Sequence, residues 1–316
     1  MAIIGKQFKR AVTLTFTEGA FPPQTVSGFD GLLSGLRISF RIERKVSSAA
    51  DTATVKIYNL NAQSRAYMAQ RSLAQLIALK QPKLNLKHMR ISAGYASNQG
   101  DIFFGAVTRC VNNKDGPDWV TEIEASTAIG EAIYNTVRLS TSSPSSIPLS
   151  VFLDHILRSA GYRDIEVAPE AALHMSKKTV SSDYSDGSGW YLAQRLCKDN
   201  GMMIFQDLIT VVVTLPGVPR KAAVVLLDER SGLLGTPKVT DMGSEFRTLL
   251  DPRIRPGQKV SISSQTFDQS LTVKNPALGR NFVVWGVTCI GDTHGDEWYS
   301  EADSWFYPSI ADTATS

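Results

Sequence analysis

Two stretches far apart in this chain carry the same local design, and that recurrence restricts the fold more than any single motif. Gly105-Ala106-Val107-Thr108-Arg109-Cys110 leads to Gly116-Pro117-Asp118-Trp119-Val120-Thr121-Glu122, and Trp285-Gly286-Val287-Thr288-Cys289 leads to Gly295-Asp296-Glu297-Trp298-Tyr299-Ser300-Glu301. In each, a Val-Thr strand with a cysteine enters a polar turn, and Gly, Trp and Glu follow at the same spacing. The preceding strands also match loosely, Met89-Arg90-Ile91-Ser92 against Lys259-Val260-Ser261-Ile262. Turns favour Gly and Asp and strands favour Trp and Val, yet this many matches in one order indicate a duplicated β unit. Two similar units in one chain are two covalently joined subunits. Three chains around a threefold axis would therefore present six similar units.

The clearest hairpin lies upstream, at Leu36–Leu60. Ile38, Phe40 and Ile42 alternate with Ser39, Arg41 and Glu43; after a polar turn, Thr54–Tyr58 alternates again. A period of two is the mark of half-buried antiparallel strands. Asn61 is placed to cap a helix in which Tyr67, Met68, Leu73, Leu76, Ile77 and Leu79 recur at helical spacing until Pro82. A first strand at residues 11–17, a Gly- and Pro-containing link over 19–35, and strands at 88–95, 102–111 and 119–125 complete an N-terminal β region. A turn is expected over 112–117. Ser140–Pro148 reads as a boundary. Helices at Leu149–Ala160 and Ser188–Asn200 follow, each stopped by a glycine, Gly161 and Gly201. The second is expected to turn Tyr191, Leu192, Leu196 and Cys197 inward. Strands at 202–206 and 209–215 close this middle part, and β signals return at 246–250, 259–263, 267–275, 281–290 and 298–303 before a frayed tail. The fold class is thus mainly β (α+β): two similar tube-like antiparallel β-barrel domains, at 1–130 and 239–316, with a smaller α+β insert at 131–238.

Composition narrows the function classes. With 43% hydrophobic and 20% charged residues, the 316-residue chain can bury a sizeable core. Its 33 basic and 30 acidic side chains leave a formal charge of +3 with no concentrated basic patch, which disfavours nucleic-acid binding. No apolar run is long enough to span a bilayer, and charges interrupt the first 20 residues where a signal peptide needs its apolar core; synthesis and folding in a cytoplasm are expected. Cys110, Cys197 and Cys289, odd in number and far apart, suit reduced core thiols rather than a disulfide framework or a zinc site.

Candidate chemistry is sparse. Asp292-Thr293-His294-Gly295-Asp296 alternates possible ligands, but the corresponding Asn113, Asp115 and Pro117 do not reproduce the set, and a polar hairpin tip is the plainer reading. His88, His155 and His174 fall in separate elements without a nucleophile motif. Gly187-Ser188-Gly189-Trp190 opens a helix but lacks the lysine of a phosphate loop. Glu122 and Glu301 are placed to face solvent or a neighbouring subunit, and no paired carboxylates for glycan cleavage are evident. No residue is assigned a catalytic, cofactor-binding or metal-ligating role, and no cofactor is called for.

The passage ISFRIERKVSSAADTATVKIYNLNAQSR, the segment DPRIRPGQ and the ending GVTCIGDTHGDEWYSEAD together resemble the baseplate hub protein of contractile-tailed bacteriophages. The resemblance covers nearly the whole chain, is strongest at Ile38–Arg65 and Leu250–Asp303, and is weakest between Ser140 and Val239. It implies a virion protein of the tail baseplate, assembled in the host cytoplasm. The implied assembly is a homotrimer of two-barrel chains joining the hexameric tail tube, or its initiator proteins, to the trimeric central spike. Other baseplate proteins would surround it, and the genome would pass through its lumen without sequence-specific binding. Two alternatives place the function in the insert: a tail-associated peptidoglycan hydrolase sited between Ser140 and Leu215, or a cell-wall-binding module.

Overall fold

The computed structural model describes residues 9–18, 21–29, 35–47, 50–70, 86–95, 98–127, 136–138, 147–180, 186–264 and 280–307. The N-terminal β region contains β1 (Arg10–Glu18), β2 (Phe21–Phe29), β3 (Ile38–Lys45), β4 (Thr52–Tyr58), α1 (Ala62–Ala69), β5 (His88–Tyr95), β6 (Asn98–Asp115) and β7 (Asp118–Ser126). The alternation read in the hairpin is its burial pattern: Ile38, Phe40 and Ile42 of β3 and Ala53, Val55 and Ile57 of β4 all face the core. Asn61 caps α1, its Oδ1 accepting from the Ser64 N–H at 2.7 Å. The rest of the helix expected there, residues 71–79, lies outside the described residues.

The middle part contains β8 (Thr136–Arg138), β9 (Ile147–Pro148), α2 (Leu149–Ser159), β10 (Asp164–Val167), α3 (Pro169–Ser176), β11 (Thr179–Val180), β12 (Asp186–Ser188), α4 (Gly189–Asp199), β13 (Met203–Asp207) and β14 (Thr210–Thr214). Leu149, Phe152, Leu153, Ile156 and Leu157 of α2 pack with Leu192, Leu196 and Cys197 of α4 over a three-stranded sheet, β10-β14-β13, to form a separate core. Gly161 and Gly201 end the two helices at φ 101° and 71°.

The C-terminal region supplies β15 (Val225–Leu227), β16 (Leu233–Val239), β17 (Gly243–Leu249), β18 (Lys259–Ile262), β19 (Asn281–Asp292) and β20 (Trp298–Phe306). Its strand order repeats the first region. The run β3-β4-β7-β6-β5 recurs as β16-β17-β20-β19-β18, with every neighbouring pair antiparallel in both copies. Rows across the two regions coincide: Phe40 faces Val55, which faces Ile123, which faces Cys110; Leu233 faces Thr248, which faces Ser300, which faces Cys289. The two cysteines of the echo therefore hold equivalent places.

Both regions belong to one 13-stranded sheet, because β3 also pairs with the far half of β19, Ser39–Lys45 against Asp292–Gly286. The tube-like units expected from the sequence are thus stitched edge to edge, and the strand path is open at β16 and β2 among the described residues.

Several expectations change. The link expected over 19–35 contains β2, which among the described residues pairs only with β1, at the sheet edge, where Pro22 and Pro23 leave no inner ladder unsatisfied. The turn expected over 112–117 shrinks to Gly116-Pro117, since residues 112–115 continue β6 and Asp115 faces Asp118. Tyr191 points outward at 67% exposure; Trp190 and Ala193 take the inward positions on α4. The short elements β10, α3, β15 and β16 add to those read in the sequence. The strand expected at 267–275 and the tail after Tyr307 lie outside the described residues.

The matched tryptophans do not share an environment. Trp298 faces Gly291, two positions beyond Cys289, whereas Trp119 faces Lys114, four beyond Cys110, so Trp119 sits farther out on its hairpin. Trp298 is buried with its ring edge-on to Phe40, 5.5 Å between centroids. Trp119 is 38% exposed beneath the Arg65 guanidinium, 4.1 Å from its ring. Trp298→Ala should cost about 3–5 kcal/mol, and Trp119→Ala only about 1 kcal/mol. Chemical denaturation of both variants checks this; equal losses would contradict the two environments.

Candidate assembly interface and the ionic junction behind it

The inward positions of β3 run Ile38, Phe40, Ile42, Arg44 and, just past the strand, Val46, all buried. Arg44 thus carries a guanidinium into a face built for hydrocarbon. Its Nη2 donates to Asp207 Oδ1 and its Nε lies 3.4 Å from Asp51 Oδ2. Asp207 ends β13 in the insert. Its other oxygen accepts from Arg220 Nη1 and lies 3.5 Å from Arg255 Nη1. Arg220 reaches on to Glu166 of β10 at 2.6 Å. Three guanidinium groups therefore meet three carboxylates where the first β region, the insert and the turn before β18 converge. Phe205, two residues from Asp207, packs with Val212 and with Val46, two residues from Arg44, and Trp285 lies against them.

Burial opposes the charges of Arg44, Asp207 and Asp51, and their partners decide each outcome. Burial tends to strip the Arg44 proton, but Asp207 and Asp51 more than compensate and its pKa is raised. Burial likewise pushes Asp207 up, yet Arg44 and Arg220 together hold it below the ordinary carboxylate range. Asp51 has less help: burial raises it to about 6, against the partial relief of Arg44 and the Lys45 N–H.

A second fastening closes the other end of the β3–β19 seam. Arg37 Nη2 donates to Asp292 Oδ2 at 2.7 Å, and the His294 N–H donates to Oδ1 at 2.9 Å. Thr293 exchanges hydrogen bonds with the Ile38 backbone, donating from its N–H to the Ile38 carbonyl and accepting at Oγ1 from the Ile38 N–H, both at 3.0 Å. Arg10 of β1 donates to the carbonyls of Asp292 and Gly295. Burial raises the Asp292 pKa, but Arg37 and the His294 N–H outweigh it and keep the carboxylate ionised. The Asp-Thr-His-Gly-Asp tip is therefore a clamp between the two β regions. Among the described residues no three His, Cys, Asp or Glu side chains gather as a metal site.

The remaining sequence candidates stay apart. His88 stacks on Phe104 at 5.6 Å, His155 lies exposed on α2, and His174 Nε2 sits 2.9 Å from the Asn200 carbonyl. Glu122 is half-buried on β7, while Glu301 pairs with Arg247 at 2.5 Å on the surface. Ser188 precedes α4, whose first residues Gly189 and Trp190 are buried. Cys197 and Cys289 are buried and Cys110 half-buried; burial pushes Cys197 up to about 12 and Cys110 to about 11, which keeps them as thiols. The ionic junction went unread in the sequence, although one signal was present: an arginine in phase with the apolar side of β3.

Residues 11–303 match the family model described as Baseplate hub gp41. No curated protein matches the chain by sequence. The fold is similar to that of a tail protein from Neisseria meningitidis MC58, with a TM-score of 0.54 at 8% identity over 93% of this chain and 96% of that one. It is similar to the 43 kDa tail protein of prophage MuSo2 from Shewanella oneidensis, at 0.53 and 10% over 92% and 95%. It is also similar to the E. coli c3393 protein, a type VI secretion component described as resembling T4 tail proteins gp27 and gp5, at 0.51 and 9% over 88% and 76%. At these identities the likeness is one of fold. Among the described residues no helix is long and apolar enough to cross a membrane.

Two predictions follow from the junction's electrostatics. Asp207→Asn leaves two buried guanidinium groups short of a counter-charge and should cost about 3–5 kcal/mol by denaturation at neutral pH. Asp51, raised in the fold, binds a proton more tightly there than in the unfolded chain. It therefore stabilises at pH values below its unfolded pKa and loses that contribution as the pH rises to about 6. Thermal midpoints of wild type should fall relative to Asp51→Asn between pH 4 and 6; parallel curves would refute the assignment.

Proposed function

The chain belongs to the baseplate hub family, and from that membership we propose that it is the structural hub of a contractile phage tail. In this reading it is a homotrimer whose paired β units form a pseudo-sixfold ring between the hexameric tail tube and the trimeric central spike. The observation that carries it is the strand order repeated within one chain, β3-β4-β7-β6-β5 and β16-β17-β20-β19-β18. A unit that occurs twice per chain lets three copies meet a sixfold partner on one side and a threefold partner on the other.

The chain is read as three parts: a first β unit over 1–130, an α+β insert, and a second β unit to 316. The last boundary is drawn ahead of Leu233 rather than at 239, because 239 falls within β16. The insert's acids Asp207 and Glu166 are engaged by arginines, which supports a docking role for this part rather than wall hydrolysis. The work is then done by interfaces and not by turnover. Tube or tube-initiator proteins, the spike and other baseplate proteins are the partners, the genome passes through the lumen, and assembly takes place in the host cytoplasm before the protein joins the virion.

Native mass spectrometry of the chain, alone and mixed with its tube and spike proteins, with negative-stain imaging of the same samples, tests the reading. Three chains in a ring of sixfold outline are expected; a monomer in every mixture would remove it.

A further inference from the structure

A groove opens beside the ionic junction, between the segment that leaves the insert after β14 and the turn that precedes β18. One part, of about 280 Å³, is lined by residues 220–225 together with Arg253, Arg255 and Gln258. A second, of about 430 Å³, shares residues 220–223 with the first and reaches Pro169 and Glu170 at the start of α3. Arg220, Lys221, Arg253 and Arg255 put four cations along the first part, and among the described residues no acid lines it. Two of the four are well matched. Arg220 holds Glu166 through Nε and Nη2 and donates to Asp207 as well. Arg253 grips Asp251 with Nε at 3.0 Å and Nη2 at 2.6 Å. Arg255 is served less well: its Nε donates to the Pro252 carbonyl at 3.1 Å, and its Nη1 stands 3.5 Å from an Asp207 oxygen that Arg220 already engages. Its side chain keeps 37% of its surface in solvent. Lys221 is exposed and lines both parts of the groove.

We propose that this groove receives an extended acidic segment of a partner protein, with Arg255 and Lys221 taking its carboxylates. Identifying that partner as a tail protein rests on the hub reading above; the chemistry of the groove does not. The chain itself shows what its arginines select here. Arg220 and Arg253 each take a carboxylate with Nε and Nη2, the two-pronged fit of a guanidinium to a planar acid. An acidic side chain from outside gives Arg255 the same match. Much of the remaining lining is hydrocarbon, from Pro169, Pro219, Ala222, Ala223 and Val224, which suits the methylenes of a peptide better than a phosphate backbone, whose binding surfaces are far more polar and positive. Val224 is 43% and Leu226 70% exposed, so apolar surface continues past the cations. Volumes of this order belong to clefts that enclose a small ligand or a few side chains. The two walls are also tied to each other: Gln258 Nε2 donates to the Ala223 carbonyl, and the Arg220 N–H to the Gly257 carbonyl at 2.9 Å. The groove is therefore formed before a partner arrives, which lowers the ordering cost of binding.

The test is calorimetric titration of the full chain at low salt with two peptides of equal length, blocked at both ends, one of alternating Glu and Ala and one of alternating Gln and Ala. Saturable binding of the Glu peptide is expected, with the Gln peptide weaker by about tenfold or more, and with affinity falling as salt is raised. Lys221→Glu should weaken the Glu peptide by about tenfold, and Lys221→Gln by less. Lys56→Glu, the same change of charge at an exposed position on β4, should leave the affinity as it is. Thermal midpoints of all three variants should stay near that of the wild type, which separates lost binding from lost folding. Absence of binding, or equal affinities of Lys221→Glu and Lys56→Glu for the Glu peptide, would overturn the groove. A thymidine oligonucleotide of the same charge that bound more tightly than the Glu peptide would assign the groove to phosphates and overturn the peptide reading. A chain that binds the Glu peptide as expected yet stays monomeric with its tube and spike proteins would remove the hub reading and leave the groove.

Discussion

Arg44 is held between Asp207 and Asp51 at the place where the three parts of the chain meet, and the relative placement of those parts depends on that contact. Its energetics differ from those of the core around it. Removing the Arg44 and Arg220 guanidinium groups and the Asp51 and Asp207 carboxylates from water costs nearly what their mutual attraction returns, so a buried cluster of this kind adds little net stability. What it adds is selectivity: if the insert docks one residue out of register, Asp207 and Arg44 are buried without partners. The apolar contacts of Phe205, Val212 and Val46 hold the insert down, and the charges determine where it is held.

The fold was legible where side-chain period and backbone geometry agree. Alternation gave both strands of the β3–β4 hairpin, the apolar stripe gave α2 residue for residue, and the echo gave a duplication that the strand order repeats. Reading weakened where the environment overrules local preference. Pro22 and Pro23 argue against a strand, yet β2 is tolerated because it lies at an edge. β10 is four residues long and gains its place only by pairing in parallel with β14, a partner more than forty residues away. Trp119 and Trp298 align in sequence but not across the sheet, because the first hairpin extends two rungs farther before it turns.

The residues of the β3–β19 seam were the least legible for a related reason. A catalytic site announces itself by residue types in unusual company, whereas an edge strand looks like any other strand until its neighbours are known. Asp292 shows the converse: its surroundings suggest ligands, yet Arg37 and the His294 N–H already occupy both of its oxygens. Position in the sheet, rather than chemistry along the chain, separates the two cases.

The β3–β19 seam also sets a schedule for synthesis. β3 leaves the ribosome some 240 residues before the strand it must pair with, an interval of roughly 12–50 s at ordinary elongation rates. Throughout that time the edge of β3 that pairs with β19 has no such partner. Arg41, Glu43 and Lys45 line the solvent-facing side of that strand with alternating charge, the usual guard against unwanted pairing. Because β19 closes the seam, a nascent chain that stops short of it leaves that edge of β3 without its partner. The order of the strands thus makes closure of the seam depend on synthesis at least as far as β19.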